Sequence, residues 1–143
     1  MNELQVIDNI KIEDMIYEVR GKQVMLDSDL AKIYRCKNGT KSINLAVKRH
    51  INGFPERFCF RLTEDEYSNL RFQTETTNMS RTLPDAFTEQ GVAMLSAILK
   101  TDVAESASVA IMDAFVSMKK YISSNLIEQR IINNMEQKKL IKL

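Results

Sequence analysis

The sequence predicts an α+β fold, a small helix-turn-helix-like domain with a β-hairpin and short strands that ends in a long C-terminal helix. Three observations carry this prediction. Short runs near Arg20 and Phe60 have the apolar and β-branched patterns of strands. Two short helical segments, separated by Asn38-Gly39, lie between these runs. From residue 101 onward, apolar residues recur at helical spacing. We place one domain at residues 1–121 and a helical tail or linker at residues 122–143.

The first two strands are predicted to form a hairpin. Residues 15–19 and 22–26 are rich in apolar and β-branched side chains, and only Arg20-Gly21 separates them. A two-residue connection that contains glycine is typical of a tight turn between antiparallel strands.

Two short helices follow the hairpin. The Asp-Ser-Asp sequence at residues 27–29 offers a cap and first-turn acids for a helix over residues 28–35. Asn38-Gly39 interrupts the helical pattern, and Thr40 can cap a second helix over residues 41–52. Because a turn joins two short helices, this segment is a helix-turn-helix candidate.

The second half of the domain reads as a strand, a helix, a loop, an extended segment and two further helices. Residues 57–62 alternate in the strand pattern, and Thr63 with Glu66 forms a capping box that begins a helix. The polar residues 73–82 predict a loop. Residues 83–87 are expected to be extended because Pro84 restricts its predecessor. Helices then begin at caps, at Thr88 and at Thr101-Asp102. The core face of the last helix contains Val103, Ala107, Ala110, Ile111, Ala114, Phe115 and Met118.

Charge is unevenly distributed along the chain. The net charge is +1, yet residues 35–61 contain seven basic residues and only one acid, Glu56, so this segment carries +6 and the remainder carries −5. A basic segment in a balanced chain is typical of a phosphate-binding surface. The alternative is a solvated surface without a partner.

The second predicted helix separates an apolar stripe from a basic face when it is viewed at about 100° per residue. The stripe contains Ile43, Ala46, Val47 and Ile51, with His50 in its middle. We therefore expect His50 to be a hydrogen-bonded core residue rather than a catalyst. Leu45 lies on the opposite face, where packing against a neighbouring element is expected ahead of contact with a thymine methyl group.

The basic face of this helix carries no acid. Its side chains are the types that hydrogen-bond to phosphates and base edges. The predicted contacts are Lys41, Asn44, Lys48, Arg49 and Asn52. Flanking cations extend this surface: Lys37, Arg57 and Arg61 would hold phosphates, and Arg20 and Lys22 at the hairpin tip would form a wing.

Other function classes lack their residue patterns. With one histidine and two cysteines that lie 23 residues apart, no zinc-ligand spacing occurs. No glycine-rich phosphate loop or nucleophile elbow is present. The longest apolar runs have four residues, and residues 1–11 lack the pattern of a secretory signal. We expect a soluble cytoplasmic protein, reduced cysteines, no cofactor and no enzymatic activity.

Four stretches resemble a known family, the phage and bacterial ORF-six N-terminal domain, which is related to the KilA-N and Bro-N domains. They are MIYEVRGKQVMLDSDLAKIY, SINLAVKRHINGFPERFCFRLTEDEYSNL, LPDAFTEQGVAMLSAIL and AIMDAFVSMKKYI, and together they span about residues 15–122. The resemblance implies a small α+β domain that binds double-stranded DNA, at the N-terminus of a prophage regulator or antirepressor.

Two alternatives remain open at this point. The chain could be an interaction module that binds a repressor protein through its acidic remainder. It could also be a nuclease that binds magnesium through Glu64, Asp65 and Glu66, although the capping box accounts better for these acids.

The apolar residues beyond Tyr121 do not hold a regular heptad, so the tail is predicted to be a linker or an arm for a weak homodimer. They include Leu126, Ile127, Ile131, Ile132 and Met135.

Overall fold

The computed structural model describes residues 11–74 and 82–142 and has an α+β fold. Its sheet is antiparallel and has the strand order β1-β2-β4-β3. The strands are β1 (Tyr17–Val19), β2 (Lys22–Leu26), β3 (Cys59–Arg61) and β4 (Asp85–Thr88). In the described part of the chain the α-helices are α1 (Asp27–Ile33), α2 (Thr40–Arg49), α3 (Glu64–Thr74), α4 (Glu89–Ile98) and α5 (Ala104–Lys142). Short 3₁₀ turns lie at Ile12–Met15 and Ile51–Gly53.

The predicted hairpin is confirmed. Val19 pairs with Lys22, and the two residues between them, Arg20 and Gly21, have φ angles of 55° and 71°. Two consecutive left-handed residues are the pattern of a type I′ turn, whose twist matches that of the flanking strands. Gly21 adopts this conformation without steric cost, whereas Arg20 is a non-glycine residue in an unfavourable region.

Both faces of the sheet carry buried side chains, because successive residues along a strand point to opposite faces. Val24 and Leu26 pack with Phe60, Leu62 and Leu70 of α3 in one cluster. A larger cluster on the other face combines side chains from α1, α2, α4 and α5 with the sheet. It includes Met25, Leu30, Ile43, Phe87, Leu95, Ile111 and Phe115.

The two helices of the candidate helix-turn-helix are present, but α2 is shorter than predicted. The helix begins at Thr40 after Gly39, with no side-chain cap, so the prediction of a Thr40 cap was wrong. It ends at Arg49, because His50 adopts φ −125° and ψ 38° and the chain continues into a 3₁₀ turn. Residues 50–52 therefore leave the helical register.

This early end changes the environment of three residues. His50 is exposed, so the expectation of a core histidine was wrong. Ile51, which was assigned to the buried stripe, is 61% exposed. Asn52 is exposed as predicted, but it lies in the 3₁₀ turn and not on α2.

The caps of the later helices are confirmed in two of three cases. The Glu66 carboxylate accepts the backbone N–H of Thr63 at 2.9 Å, and Thr63 Oγ1 accepts the N–H of Glu66 at 3.2 Å. Thr88 Oγ1 accepts the N–H of Gly91 at 3.3 Å, which caps α4. The Thr101 hydroxyl caps nothing: it is buried without a hydrogen-bond partner among the described residues, and α5 begins at Ala104.

The remaining expectations are confirmed in part. The apolar face of α5 contributes four buried side chains to the core, Ala107, Ile111, Ala114 and Phe115. The predicted Val103 is also buried, but it lies just before the helix begins. Of the loop predicted at residues 73–82, Gln73 and Thr74 belong to α3, which corrects the prediction there, and residues 75–81 lie outside the described part. Cys36 and Cys59 are free thiols, and Cys59 lies in β3. None of the helices in the described part of the chain combines the length and the apolar character that a membrane span requires.

Candidate nucleic-acid interface

The basic face of α2 is exposed because its opposite face is fixed in the core. Ile43 and Val47 are buried and pack among residues of α1 and α4. At about 100° per residue, the side chains on the far side of the helix then project into solvent within an arc of about 140°. They are Lys41, Asn44, Leu45, Lys48 and Arg49, all of them exposed.

The cations of α2 have no acidic partner among the residues that the structure describes. Across residues 11–74 and 82–142, no ion pair joins Lys41, Lys48 or Arg49 to a carboxylate. The helix itself contains no acidic residue. Lys37, in the turn that precedes α2, is also exposed and outside any ion pair of the described residues. The positive charge of this surface is therefore available to an external anion.

Leu45 lies among these cations and is 46% exposed. Neither core cluster includes it, so the expectation that it packs against a neighbouring element was wrong. An exposed leucine flanked by lysine, arginine and asparagine gives this helix face one apolar contact point.

Arg20 does not project from the hairpin tip as a free cation. Its Nε and Nη2 donate to the Glu66 carboxylate at 2.8 and 3.0 Å, and Nη2 also donates to the carbonyl oxygen of Arg61 at 3.4 Å. Glu56 lies 3.7 Å away, and the guanidinium stacks 4.2 Å above the Phe60 ring. Arg20 thus attaches the hairpin turn to α3 and β3.

The other predicted phosphate contacts lie in different surroundings. Arg61 forms an ion pair with Asp85 of β4 at 3.1 Å, although its side chain remains largely exposed. Arg57 stacks on the ring of Phe58 at 5.3 Å. Lys22 and Arg57 meet in one surface cleft, together with Lys119 of α5.

The structure therefore brings the predicted residues together only in part. Four of the five predicted α2 contacts share one helix face, whereas Arg20 and Arg61 are paired with acids of the fold. Sequence reasoning missed Lys119, which is 62 positions from Arg57, because no local pattern connects two residues so far apart.

Of the three acids in the first turn of α3, Glu66 has hydrogen-bond partners within the fold. Glu66 accepts both the Thr63 N–H and the Arg20 guanidinium, which holds the pKa of its carboxyl down at about 2. Among the described residues, no cluster of three or more potential metal ligands occurs.

The fold thus defines an α+β domain in which a four-stranded antiparallel sheet, whose first two strands form the hairpin, supports the candidate helix-turn-helix pair of α1 and α2. The family profile of the ORF6N domain matches residues 14–98, which is more than half of the chain. The chain belongs to the ORF6N domain family, as its resemblance indicated, and this makes it a phage-type regulatory domain. The matched region contains the whole sheet and α1 to α4, and it ends before α5. No curated protein and no solved structure matches the chain.

Proposed function

We propose that this chain is the DNA-binding domain of a prophage-type transcription regulator or antirepressor, and that α2 reads duplex DNA. The observation that carries the proposal is the exposed face of α2, where Asn44 and Leu45 lie among three cations that form no ion pair with any described residue. Family membership supports a regulatory role in a phage context. The domain acts by binding in the cytoplasm and needs neither an enzymatic step nor a cofactor.

The dimensions of α2 suit the major groove. Ten residues give a helix of about 15 Å, and a groove about 12 Å wide admits one α-helix. Lys41, Lys48 and Arg49 would contact phosphates or guanine edges, and the amide of Asn44 can form a bidentate pair with adenine. Lys37, just before the helix, would hold a backbone phosphate.

The flanking contacts are ranked by their partners in the fold. Lys22 and Arg57 have no carboxylate partner among the described residues, so they are the better candidates for phosphate contacts. Arg61 and Arg20 would have to exchange an existing ion pair for a phosphate. Asn52 lies beyond the end of α2 and would contact the backbone rather than a base.

A salt titration of duplex binding tests the proposal. If about five phosphates are neutralised, the slope of log K against log salt should be about −4 to −5. Lys48→Ala should flatten this slope by about one unit, and Lys48→Glu should abolish binding at moderate salt. Lys100→Glu is the matched control, because this exposed lysine lies between α4 and α5. Duplex binding that does not depend on salt, or equal effects of K48E and K100E, would contradict the proposal.

A second candidate function is binding of a repressor protein. It is favoured by the exposed apolar residues of α5, among them Leu126 and Ile131, and by the net charge of −5 outside residues 35–61. Charge reversal on α2 would then leave regulation unchanged, whereas Leu126→Asp and Ile131→Asp would abolish it. The opposite result would support DNA binding.

A further inference from the structure

A cleft of about 510 Å³ lies at the end of the sheet where β2 begins and β4 ends. Four parts of the chain form it: the start of β2, the segment before β3, the junction of β4 with the first turn of α4, and the N-terminal half of α5. Lys22, Arg57 and Lys119 contribute cations to its walls, Glu89 contributes one acid, and the buried ring of Phe115 forms part of its lining.

The charges of this cleft are unbalanced in favour of cations. Lys119 forms an ion pair with Glu89. Lys22 and Arg57 have no carboxylate partner within the described residues, which leaves the lining at +2. Arg57 stacks on Phe58, and stacking uses the face of a guanidinium while its N–H donors stay at the edge.

We propose that this cleft binds a phosphate group. Two lysines and one arginine from separate elements converge on one concave surface, and together they supply point charges and a planar fork of donors for a tetrahedral oxyanion. The first turn of α4 adds the positive end of a helix dipole to the same lining.

The phosphate belongs either to the backbone of bound DNA or to a free phosphate ester. The DNA source rests on the proposed function and would extend the interface beyond α2 to α5. In that case Lys22 contacts the DNA backbone at the hairpin, whereas Arg20 is held in its ion pair with Glu66. In either case, Lys119 becomes a phosphate-contacting residue and Glu89 the acid that opposes binding, although no local charge pattern in the sequence marked either residue.

The first experiment titrates the full chain with inorganic phosphate and follows backbone amide shifts by NMR. We expect shifts at residues 22, 57, 89–91 and 119, weakening of about fivefold in Arg57→Ala and Lys119→Ala, and tightening of about twofold to fivefold in Glu89→Gln, which removes the single acid. Lys100→Ala is the control. Melting temperatures verify that each variant is folded. The absence of shifts at these residues, or equal shifts with acetate, would overturn the proposal.

The second experiment separates the two sources of phosphate with a 20-base-pair duplex. If the DNA backbone supplies it, R57A and K119A each weaken duplex binding about threefold to tenfold and flatten the salt slope by about one unit. If these variants lose phosphate binding but keep duplex affinity, the ligand is a free phosphate ester. If Lys48→Glu loses duplex binding but R57A and K119A do not, α2 binds DNA and the cleft does not contact the DNA backbone. Phosphate binding in a chain that binds no duplex would overturn the function but not the cleft.

Discussion

Arg20 Nε lies 2.8 Å from Glu66 Oε2, and this ion pair joins residues that are 46 positions apart. The same carboxylate accepts the N–H of Thr63, so one acid both caps α3 and fixes the hairpin turn. Arg20 occupies an unfavourable left-handed conformation, and its contacts with Glu66 and Phe60 offset that cost. The residue that the sequence places in a DNA-contacting wing therefore has a structural role.

Acid should weaken the fold through Glu66. The Arg20 guanidinium and the Thr63 N–H lower the pKa of this carboxyl from 4.5 to about 2, so its stabilising contribution is complete above pH 4.5 and is lost as the pH falls toward 2. Glu66→Gln should cost about 1 kcal/mol at pH 7 and reduce the loss between pH 5 and pH 2.5. Urea unfolding at several pH values measures both effects. Glu64→Gln is the control, and an identical pH profile for the two variants would contradict this assignment.

Gly91 should tolerate no larger side chain. A Cβ atom at this position would lie 2.0 Å from the carbonyl oxygen of Phe58, which also accepts the N–H of Thr88 and is fixed backbone. Gly91→Ala should therefore cost about 3 kcal/mol of unfolding free energy, through overpacking and displacement of α4. Gly53→Ala is the matched control, because its Cβ would meet only the flexible Met94 side chain, at 3.3 Å. Equal thermal stability of the two variants would show that α4 can shift freely.

Leu45 is predicted to contact a thymine methyl group if α2 enters the major groove. On a duplex selected for tight binding, replacement of the contacted thymine by deoxyuridine should weaken binding about threefold to fourfold, as expected for one buried methyl group. Leu45→Ala should remove the difference between the two duplexes, and a double-mutant cycle measures this coupling. If deoxyuridine weakens wild type and L45A by the same factor at every thymine, Leu45 reads no methyl group.

The C-terminal half of α5 is predicted to mediate a weak homodimer. From Tyr121 to Met135, its large apolar side chains are exposed along a continuous helix, and such a surface is typical of an interaction site. Truncation after Tyr121 should leave a folded monomer with reduced duplex affinity, because two copies could contact successive major grooves about 34 Å apart. Sedimentation measures the change, and Lys142→Ala in the full chain is the control. A full chain that is monomeric at high micromolar concentration would contradict the dimer.

Features that depend on residues close in sequence could be predicted from the sequence. The hairpin follows from two β-rich runs around Arg20-Gly21, and the capping box needs only Thr63 and Glu66, three positions apart. The buried face of α2, through Ile43 and Val47, follows from helical periodicity, and this face determines which cations of α2 are exposed. The α2 surface of the candidate site was therefore accessible to sequence reasoning.

The end of α2 required the tertiary structure. Extrapolation of the helical pattern past Arg49 assigned His50 and Ile51 to the core, but the backbone turns at His50 and both side chains are exposed. A periodic pattern does not specify where its helix ends, because a 3₁₀ turn anchored in the core can replace the last turn of an α-helix. In this chain, Phe54 follows that turn and packs edge-on against Phe87.

The sequence by itself determined the fold class, the hairpin, the caps of α3 and α4 and the polarity of α2, because each depends on neighbours within one or two turns. Only the tertiary structure decided which of the predicted cations are paired with acids of the fold and which remain available to bind an external anion. Glu66 neutralises Arg20, Asp85 neutralises Arg61, and the packing of α5 beside α4 places Lys119 in one cleft with Arg57. Charge pairing acts over a few ångströms in space, and chain folding sets those distances independently of separation in sequence.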